Sequence, residues 1–202
     1  AGPVGAGSGL AHRCRPSLPG PGVVARPSIA LASFLRWHAP TRTHRTAQAA
    51  DALMPLARGE CWPRLFGAQG LTQYQFVVPT SRADALLESL QLLQHRGLAP
   101  ALTVLKRLGR NDPAPLGFAL DGWTLAMDFP TRWSRLEGAL RQLDRLVVDA
   151  GGRVYLAKDR RLAPDTFRAM YPRYDTWRRI RDEMDPDHRF ASDLSRRLRL
   201  TD

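Results

Sequence analysis

The order of two periodic patterns between residues 70 and 160 constrains this chain's fold more than any other feature of the sequence. Residues 72–78 alternate polar and apolar side chains as a strand does and end at Pro79, and residues 102–108 form a second run of this kind. Trp123–Phe129 forms a third run, which Pro130 closes, and a fourth strand is expected to start near Arg153. Stretches with helical spacing of leucines separate these runs.

Two helices are predicted between the strands. The first is expected to be capped at Thr80 or Ser81, with Asp84 in the capping-box position, and to stop at Gly97. Its apolar stripe consists of Leu86, Leu87, Leu90 and Leu93. The second is expected from about Arg132 to Ala150, with Gly151-Gly152 at its end and a stripe of Leu136, Leu140, Leu143 and Val147.

The resulting order, β-α-β-β-α-β, predicts an α+β fold of the ferredoxin-like type. In this arrangement an antiparallel sheet carries both helices on one face, so the other face is free to bind a ligand. Two further short helices are predicted over Pro164–Met170 and Tyr174–Met184.

The first thirty residues are rich in breakers of regular structure. Eleven of them are glycine or proline, so no helix or strand is expected and the stretch is interpreted as disordered or as non-native sequence. The glycines do not predict a pyrophosphate-binding loop, because neither a strand before them nor a helix after them is expected. No basic segment precedes an apolar run, so the chain shows no clear signal peptide.

Charge and composition exclude several classes of protein. The 30 Lys and Arg residues and 19 Asp and Glu residues give a net charge of +11, but the positive charge is scattered, so no nucleic-acid partner is expected. No apolar run is long enough for a transmembrane segment. Cys14 and Cys61 do not form a CxxC motif and the five histidines form no HExxH or HxxxH pair, so no metal site is expected.

Strand alternation places four polar side chains on the face of the sheet opposite the helices. These are Gln73, Gln75, Lys106 and Thr124. Two amides, an ammonium and a hydroxyl that converge describe a pocket for a polyhydroxylated or phosphorylated ligand. An ordinary solvated sheet face is the alternative that the pattern leaves open.

Several motifs resemble the flavin-dependent decaprenylphosphoryl-β-D-ribose 2′-oxidases of the vanillyl-alcohol-oxidase superfamily, which also contains the aldonolactone oxidases. The motifs are GLTQYQFVVP (70–79), LTVLKRLG (102–109), GWTLAMDFP (122–130), GGRVYLAKD (151–159), FRAMYP (167–172) and DPDHRFASDLSRRL (185–198). The resemblance extends over residues 34–200 and is to the C-terminal half of these enzymes, which forms the substrate-covering cap domain and a segment that returns to the FAD domain.

The resemblance implies FAD as the cofactor, with its binding site incomplete in this chain. The family's YxAK motif matches Tyr155, Ala157 and Lys158. It implies that Tyr155 contacts FAD. Lys158 would be the catalytic residue, placed beside the flavin and the substrate, where it would favour the negative charge that develops on the reduced ring.

The resemblance also implies a substrate pocket. Gln73 and Gln75 would line it and form hydrogen bonds with sugar hydroxyls, and Lys106 matches a lysine of the pocket. Thr124 stands where the family often has Asn, and Ala126 stands where it often has Cys, which should abolish inhibition by thiol-directed compounds. Leu53 and Pro63 replace polar or aromatic residues expected around a lipid-side opening.

Four segments are therefore predicted: a disordered or non-native leader (1–30), an irregular partial cap segment (31–69), a ferredoxin-like cap domain (70–160), and a C-terminal helical segment (161–202). The function implied is oxidation of a sugar hydroxyl by hydride transfer to FAD, in the assembly of cell-wall arabinan. The partners would be a polyprenyl-phosphate sugar or aldonolactone substrate and a keto-reductase. The expected location is cytoplasmic or peripheral at the inner membrane or cell envelope.

Three alternatives remain open. One is an aldonolactone or sugar-alcohol oxidase of the same superfamily, which the replacements at Leu53, Thr124 and Ala126 favour. Another is a non-enzymatic binding module, since a ferredoxin-like sheet with a positive net charge can bind single-stranded RNA; however, aromatic residues are not predicted on its open face. The last is an inactive truncation.

Overall fold

The computed structural model describes residues 20, 22–40 and 62–200. The helices are α1 (Arg26–His38), α2 (Asp84–His95), α3 (Leu136–Asp149), α4 (Pro164–Met170), α5 (Tyr174–Met184) and α6 (Asp193–Arg197). The strands are β1 (Leu71–Pro79), β2 (Leu102–Leu108), β3 (Gly122–Pro130) and β4 (Arg153–Val154). Within the described ranges no helix combines the length and the apolar character needed to cross a bilayer.

The strands form one sheet in the order β2-β3-β1-β4, with every neighbouring pair antiparallel. β1 and β3 pair along their whole lengths, from Leu71 opposite Pro130 to Pro79 opposite Gly122. This topology confirms the predicted α+β fold of the ferredoxin-like type, in which the two strands next to each other in the centre come from different halves of the chain.

The hydrophobic core lies between the sheet and helices α2 and α3. The buried strand residues alternate along β1 and β3: Tyr74, Phe76, Val78, Leu125, Met127 and Phe129. All four residues of the predicted α3 stripe are buried: Leu136, Leu140, Leu143 and Val147. Each fully buried side chain of this size stabilises the fold by about 1.5–3 kcal/mol, so this layer is the main source of stability.

The predicted stripe of α2 is wrong in part. Leu87 and Leu90 are 60% and 39% exposed, whereas the buried residues of α2 are Ala85, Ser89 and Leu93. Ser89 is tolerated in the interface because its hydroxyl donates a hydrogen bond to the carbonyl of Ala85, at 2.6 Å. The predicted capping box is also absent: residues 80–82 form a 3-10 turn, and the helix starts only at Asp84, with no side-chain cap.

One buried polar cluster crosses the helix-covered face. The Tyr74 hydroxyl donates to Asp144 Oδ1 at 2.9 Å, and Arg161 Nη2 donates to Asp144 Oδ2 at 2.5 Å. Burial raises the pKa of Tyr74 well above its usual value, and the charge of Asp144 raises it further. Both oxygens of the Asp144 carboxylate are therefore paired inside the core.

The turn from α3 into β4 depends on two glycines. Gly151 has a φ of 66°, and a Cβ on Gly152 would lie 2.3 Å from the carbonyl oxygen of Val77. β4 begins at Arg153, as predicted, and it is short, since it pairs with β1 only at Arg153 and Val154. Residues 156–158 then form a 3-10 turn rather than a continuation of the strand.

The C-terminal helices pack against β4 and α3. Two of them, α4 and α5, confirm the predicted helices and have the same bounds as predicted. Phe167 and Met170 of α4 are buried, and the Tyr171 hydroxyl donates to the carbonyl of Val154 at 2.7 Å. Ser192 caps α6 by accepting a hydrogen bond from the Ser195 amide. Leu198, beyond α6, is fully buried in the same core.

Helix α1 corrects the expectation of irregular structure around residue 30, and also the expectation that no helix follows the glycine-rich stretch. Pro27 lies in the first turn, where a missing amide hydrogen costs nothing, so proline favours a helix start here rather than breaking one. Ahead of α1, the Val23 amide donates to the Leu65 carbonyl at 2.8 Å. The rest of the predicted leader (residues 1–19 and 21), together with Leu53, Cys14 and Cys61, lies outside the described residues.

Candidate functional site

A trough runs across the open face of the sheet. It consists of two adjoining cavities, which we call the upper cavity, of about 810 Å³ beside the β2–β3 loop, and the lower cavity, of about 420 Å³ over the other end of β2 and β3. Four residues take part in the lining of both cavities: Gln75, Lys106, Thr124 and Lys158. The two cavities are therefore parts of one surface.

All seven residues predicted for the site lie in this trough. Tyr155 lines the upper cavity, Gln73 and Ala126 line the lower one, and the four shared residues line both. The strands bring them together because Gln75 is directly opposite Ala126 across β1 and β3, and Lys106 is opposite Thr124 across β2 and β3. The roles predicted for these residues stay predictions; their common location is what the structure adds.

Gln75 and Thr124 are fixed relative to each other in the middle of the trough. Gln75 Nε2 donates a hydrogen bond to Thr124 Oγ1 at 3.0 Å, and Thr124 is only 2% exposed. This leaves the Gln75 carbonyl oxygen and its second amide hydrogen for other partners. The pair is a preorganised polar element rather than two independent side chains.

Lys158 reaches the trough from the 3-10 turn that follows β4. The Tyr155 amide continues the ladder by donating to the Gln75 carbonyl at 2.8 Å, and the turn closes when the Lys158 amide donates to the Tyr155 carbonyl at 3.0 Å. Asp159 anchors the next residues, because its Oδ1 accepts hydrogen bonds from the amides of Arg161 and Leu162. The turn thus carries Lys158 to the open face from a rigid support.

The wall of the upper cavity is aromatic. The rings of Phe118 and Tyr155 lie with their centroids 4.6 Å apart, and Trp177 of α5 lines the same cavity. The β2–β3 loop that carries Phe118 is held in place because Arg153 Nη1 donates to the Gly117 carbonyl at 2.7 Å. Arg173 at the start of α5 donates to the Pro113 carbonyl of the same loop at 2.8 Å.

Asp128 is a polar residue of the trough that was not predicted for the site, as is Asp112 of the upper cavity. Asp128 lines the lower cavity, is 2% exposed, and has no hydrogen-bond partner for its Oδ1 atom. Burial raises the pKa of Asp128, while its hydrogen bond with Gln73 and the charge of Lys158 oppose that rise. The alternation that placed Thr124 on the open face places Asp128 there too, so the signal was present in the sequence.

Phe118 and Trp177 were also missed as trough residues. Trp177 stacks on Tyr174, at 5.9 Å between ring centroids, and it also lines the upper cavity. Phe118 lies in a loop rich in turn-forming residues, where periodicity assigns no face. No local sequence pattern could have found it. The side chain of Pro63 lies outside the described residues.

Comparison with known proteins gives a consistent assignment. The model of the D-arabinono-1,4-lactone oxidase family matches residues 75–198, which include six of the seven predicted site residues and Asp128. The chain is 45% identical over 139 residues to the decaprenylphosphoryl-beta-D-ribose oxidase of Mycolicibacterium smegmatis, a match that covers 69% of the chain and 30% of that relative.

Two other relatives extend the comparison. An uncharacterized protein encoded in the mprA 5′ region of Streptomyces coelicolor is 35% identical over 193 residues, 95% of this chain and 51% of that relative. The L-gulono-1,4-lactone dehydrogenase of Mycobacterium tuberculosis is 25% identical over 129 residues, 63% of this chain and 30% of that relative. The chain therefore matches between about a third and about half of the length of these relatives.

Proposed function

The chain belongs to the D-arabinono-1,4-lactone oxidase family, and on that premise we propose that it forms the substrate-binding part of an FAD-linked oxidoreductase that oxidises a sugar hydroxyl. The observation that carries this proposal is the placement of the lysines. The chain contains two, Lys106 and Lys158, and both line the trough although they come from different elements. In a chain that otherwise uses arginine, this convergence favours a site that needs compact positive charges.

The lining of the upper cavity supports the proposal that the cofactor is FAD. Aromatic side chains at Phe118, Tyr155 and Trp177 offer flat apolar surfaces, and Lys158 adds a cation at the edge. Aromatic surfaces beside one positive charge suit a planar ring whose reduced form is anionic. When bound, FAD would supply the acceptor for the hydride of the carbinol carbon, and the proton of the oxidised hydroxyl would pass to solvent.

Each trough residue then has a role in that oxidation. Lys158 would stabilise the negative charge that develops on the acceptor side, from a position fixed by the turn after β4. Gln75, held by Thr124, would orient the sugar through its free amide hydrogen and carbonyl oxygen. Gln73, on the same strand and face, would add a further hydrogen bond deeper in the lower cavity.

We propose a phosphorylated sugar lipid of the decaprenylphosphoryl-ribose type as the substrate. The 45% identity to the M. smegmatis enzyme supports this, and so does Lys106, which can bind a phosphate as a point charge. The lipid part of such a substrate would bring the enzyme to a membrane surface. The keto sugar produced would require a reductase as a partner, as in arabinan assembly.

An aldonolactone is the second candidate substrate. The family model that matches the chain is named for D-arabinono-1,4-lactone, and a relative named for L-gulono-1,4-lactone matches as well. A lactone carries hydroxyls but no phosphate, so Lys106 would bind a ring or carbonyl oxygen instead. The two candidates therefore differ in how much they depend on Lys106.

The test is a chimera in which the 139 matching residues of this chain replace the corresponding segment of the M. smegmatis relative. We expect decaprenylphosphoryl-β-D-ribose to bleach the flavin absorbance of the purified chimera, and Lys158→Met to slow this about 100-fold or more. Arg145→Met, which removes an exposed cation from α3, is the matched control and should leave the rate unchanged.

Substrate profiling of the same chimera separates the candidates. Reduction by the phosphorylated lipid that Lys106→Met weakens supports the first. Reduction by D-arabinono-1,4-lactone or L-gulono-1,4-lactone alone, with little effect of Lys106→Met, supports the second. If none of the three reduces the flavin while the parent relative remains active, the proposed function is wrong.

A further inference from the structure

A cavity apart from the trough is lined mainly by arginines. It has a volume of about 320 Å³ and lies where the start of α1, the end of α2 and the residues before α3 meet. Four arginines line it: Arg26, Arg96, Arg132 and Arg135. None of its lining residues lines either part of the trough, so this arginine cavity is separate from the proposed substrate site.

The fold brings these arginines together from three places in the chain. Arg26 is the first residue of α1, and Arg96 follows α2. Arg132 and Arg135 precede α3. A Cβ on Gly97 would lie 3.3 Å from Arg26 Nη1, so the Arg26 guanidinium lies beside the residue that follows Arg96. The convergence is therefore a property of the tertiary structure and not of a basic run in the sequence.

Among the described residues, no carboxylate neutralises this positive charge. Neither an aspartate nor a glutamate lines the cavity, and none of the four arginines forms an ion pair in that part of the chain. Other arginines are paired, such as Arg161 with Asp144 and Arg197 with Asp159. Because like charges repel each other, an anion that enters between the four guanidiniums is electrostatically favoured.

The guanidiniums of this cavity are accessible to a ligand. Arg26, Arg96 and Arg135 are exposed, and their guanidiniums form no hydrogen bond with a described residue. Arg132 is half-buried and donates to two main-chain carbonyls, which hold it in place. Helix stability does not explain Arg135, since it is the N-cap of α3, where the helix dipole disfavours a cation. One anchored and three unpaired guanidiniums therefore surround an open cavity.

The number of cations favours a phosphate group over a carboxylate. A guanidinium binds either group through two parallel hydrogen bonds. A carboxylate offers two oxygens and a single charge, whereas a phosphate monoester offers three oxygens and a charge of about −1.5 to −2, so it can bind several guanidiniums at once. Trp133 and Leu98 line the same cavity and offer an apolar surface to an organic group attached to the phosphate.

We propose that the arginine cavity is a second ligand site of this chain, which binds a phosphate group through Arg26, Arg96, Arg132 and Arg135. The site goes beyond the proposed function, because it shares no residue with the trough and takes no part in the oxidation. A soluble phosphate compound and the headgroup of a lipid present the same oxygens to these arginines, and the experiment separates the two sources.

The test titrates the 202-residue chain with inorganic pyrophosphate by isothermal titration calorimetry at low ionic strength. Arg96→Gln combined with Arg135→Gln removes two exposed cations of the cavity and should weaken binding about 10- to 100-fold, as expected for loss of hydrogen bonds between charged groups. Arg141→Gln combined with Arg145→Gln is the matched control, since it removes two exposed cations of α3 outside the cavity. This control should weaken binding by no more than about twofold, because salt screens distant charges. Circular dichroism checks that both double variants remain folded.

Vesicles identify the source of the phosphate. Sedimentation with phosphatidylcholine vesicles that contain phosphatidic acid, and with phosphatidylcholine alone, is measured for the wild type and both double variants. Binding of pyrophosphate alone supports a site for a soluble phosphate compound. Binding that requires phosphatidic acid in the vesicle supports a site for a lipid headgroup. In each case only the Arg96 and Arg135 double variant should lose it.

Three results would overturn the proposal. They are no binding of pyrophosphate or phosphatidic acid, equal binding of acetate in place of pyrophosphate, and equal losses in the two double variants. The last result would mean that the net charge of +11 attracts anions without a specific site. None of these measurements depends on flavin reduction by the chimera, so this proposal and the proposed function can fail independently.

Discussion

The two faces of the sheet differ in how fully their buried carboxylates are hydrogen-bonded. Under the helices, Tyr74, Asp144 and Arg161 form a cluster in which both oxygens of the carboxylate are paired. On the open face, Asp128 keeps an unpaired oxygen, and the lysines point into a trough. The same strands carry both sets, since successive residues alternate between the faces.

This difference separates residues that stabilise the fold from residues that are available to a ligand. A paired buried cluster lowers the energy of one packing arrangement, and both oxygens of its carboxylate, Asp144, already have partners. The side chains that line the two cavities, such as Lys106 and Lys158, remain available to a ligand. Substitutions on the two faces should therefore act on different measurements.

The largest effect is expected on the helix-covered face. Asp144→Ala leaves the Arg161 guanidinium and the Tyr74 hydroxyl buried without their shared acceptor, and should destabilise the chain by about 3–5 kcal/mol. Urea unfolding followed by circular dichroism measures this. Asp84→Ala breaks an exposed pair with Arg82 and should cost less than about 1 kcal/mol. Similar losses from both variants would mean that the core cluster contributes no more than a surface pair.

The next effect belongs to the open face and should appear in activity alone. Lys158→Met in the chimera removes a preorganised cation and should lower the rate of flavin reduction by about 10²- to 10³-fold, or about 2.7–4 kcal/mol. The melting temperature should stay close to that of the unmodified chimera, because Lys158 is only partly buried and lies at the end of a turn. A large drop in melting temperature would place Lys158 with the structural residues instead.

The third effect is a pH-dependent gain in the stability of the Asp128→Asn variant over the wild type. Burial raises the pKa of Asp128, so the folded chain keeps this proton over a range in which the unfolded chain, with a pKa of about 3.9, has lost it. The wild type therefore loses stability as pH rises from about 4 through the folded-state pKa. Asp128→Asn avoids that loss and should be about 1–3 kcal/mol more stable than the wild type at pH 7.

Unfolding free energies of the two proteins between about pH 3 and pH 7 measure this difference. The gap should be small at the acid end and widen with pH. The exposed Asp187→Asn variant should follow the wild type throughout. A gap that is constant with pH would show that the substitution acts through packing rather than through the charge.

The sequence predicted the sheet and its faces because strand alternation is a local property. Gln73, Gln75, Thr124 and Ala126 were placed on the open face by counting residues, and the cavities lie there. The same count reaches Asp128, but burial and the missing partner of its oxygen depend on β1 and β2 at its sides. Burial and hydrogen-bond pairing depend on the tertiary structure, which the spacing of residues along the chain does not reveal.

Other features failed for equally specific reasons. The 3-10 turn at residues 156–158 carries Lys158 to the trough, and a run of Val, Tyr and Leu around it reads as a strand. Helix α1 follows a stretch rich in glycine and proline. The composition of that stretch argued against a helix, but Pro27 lies in the first helical turn, where proline is tolerated. In both cases one residue's position within an element mattered more than its type.

The smallest expected effect tests how α2 sits on the sheet. Leucine spacing favoured Leu87 and Leu90 as core residues, yet Leu87 is 60% exposed while Leu93 is 1% exposed. Leu87→Ala should therefore change the unfolding free energy by no more than about 0.5 kcal/mol, whereas the same substitution at Leu93 should cost about 2–5 kcal/mol. Urea unfolding of the two variants under one set of conditions measures both. Comparable losses would mean that α2 is rotated towards the stripe read from the sequence, and that Ala85 and Ser89 do not form its packed face.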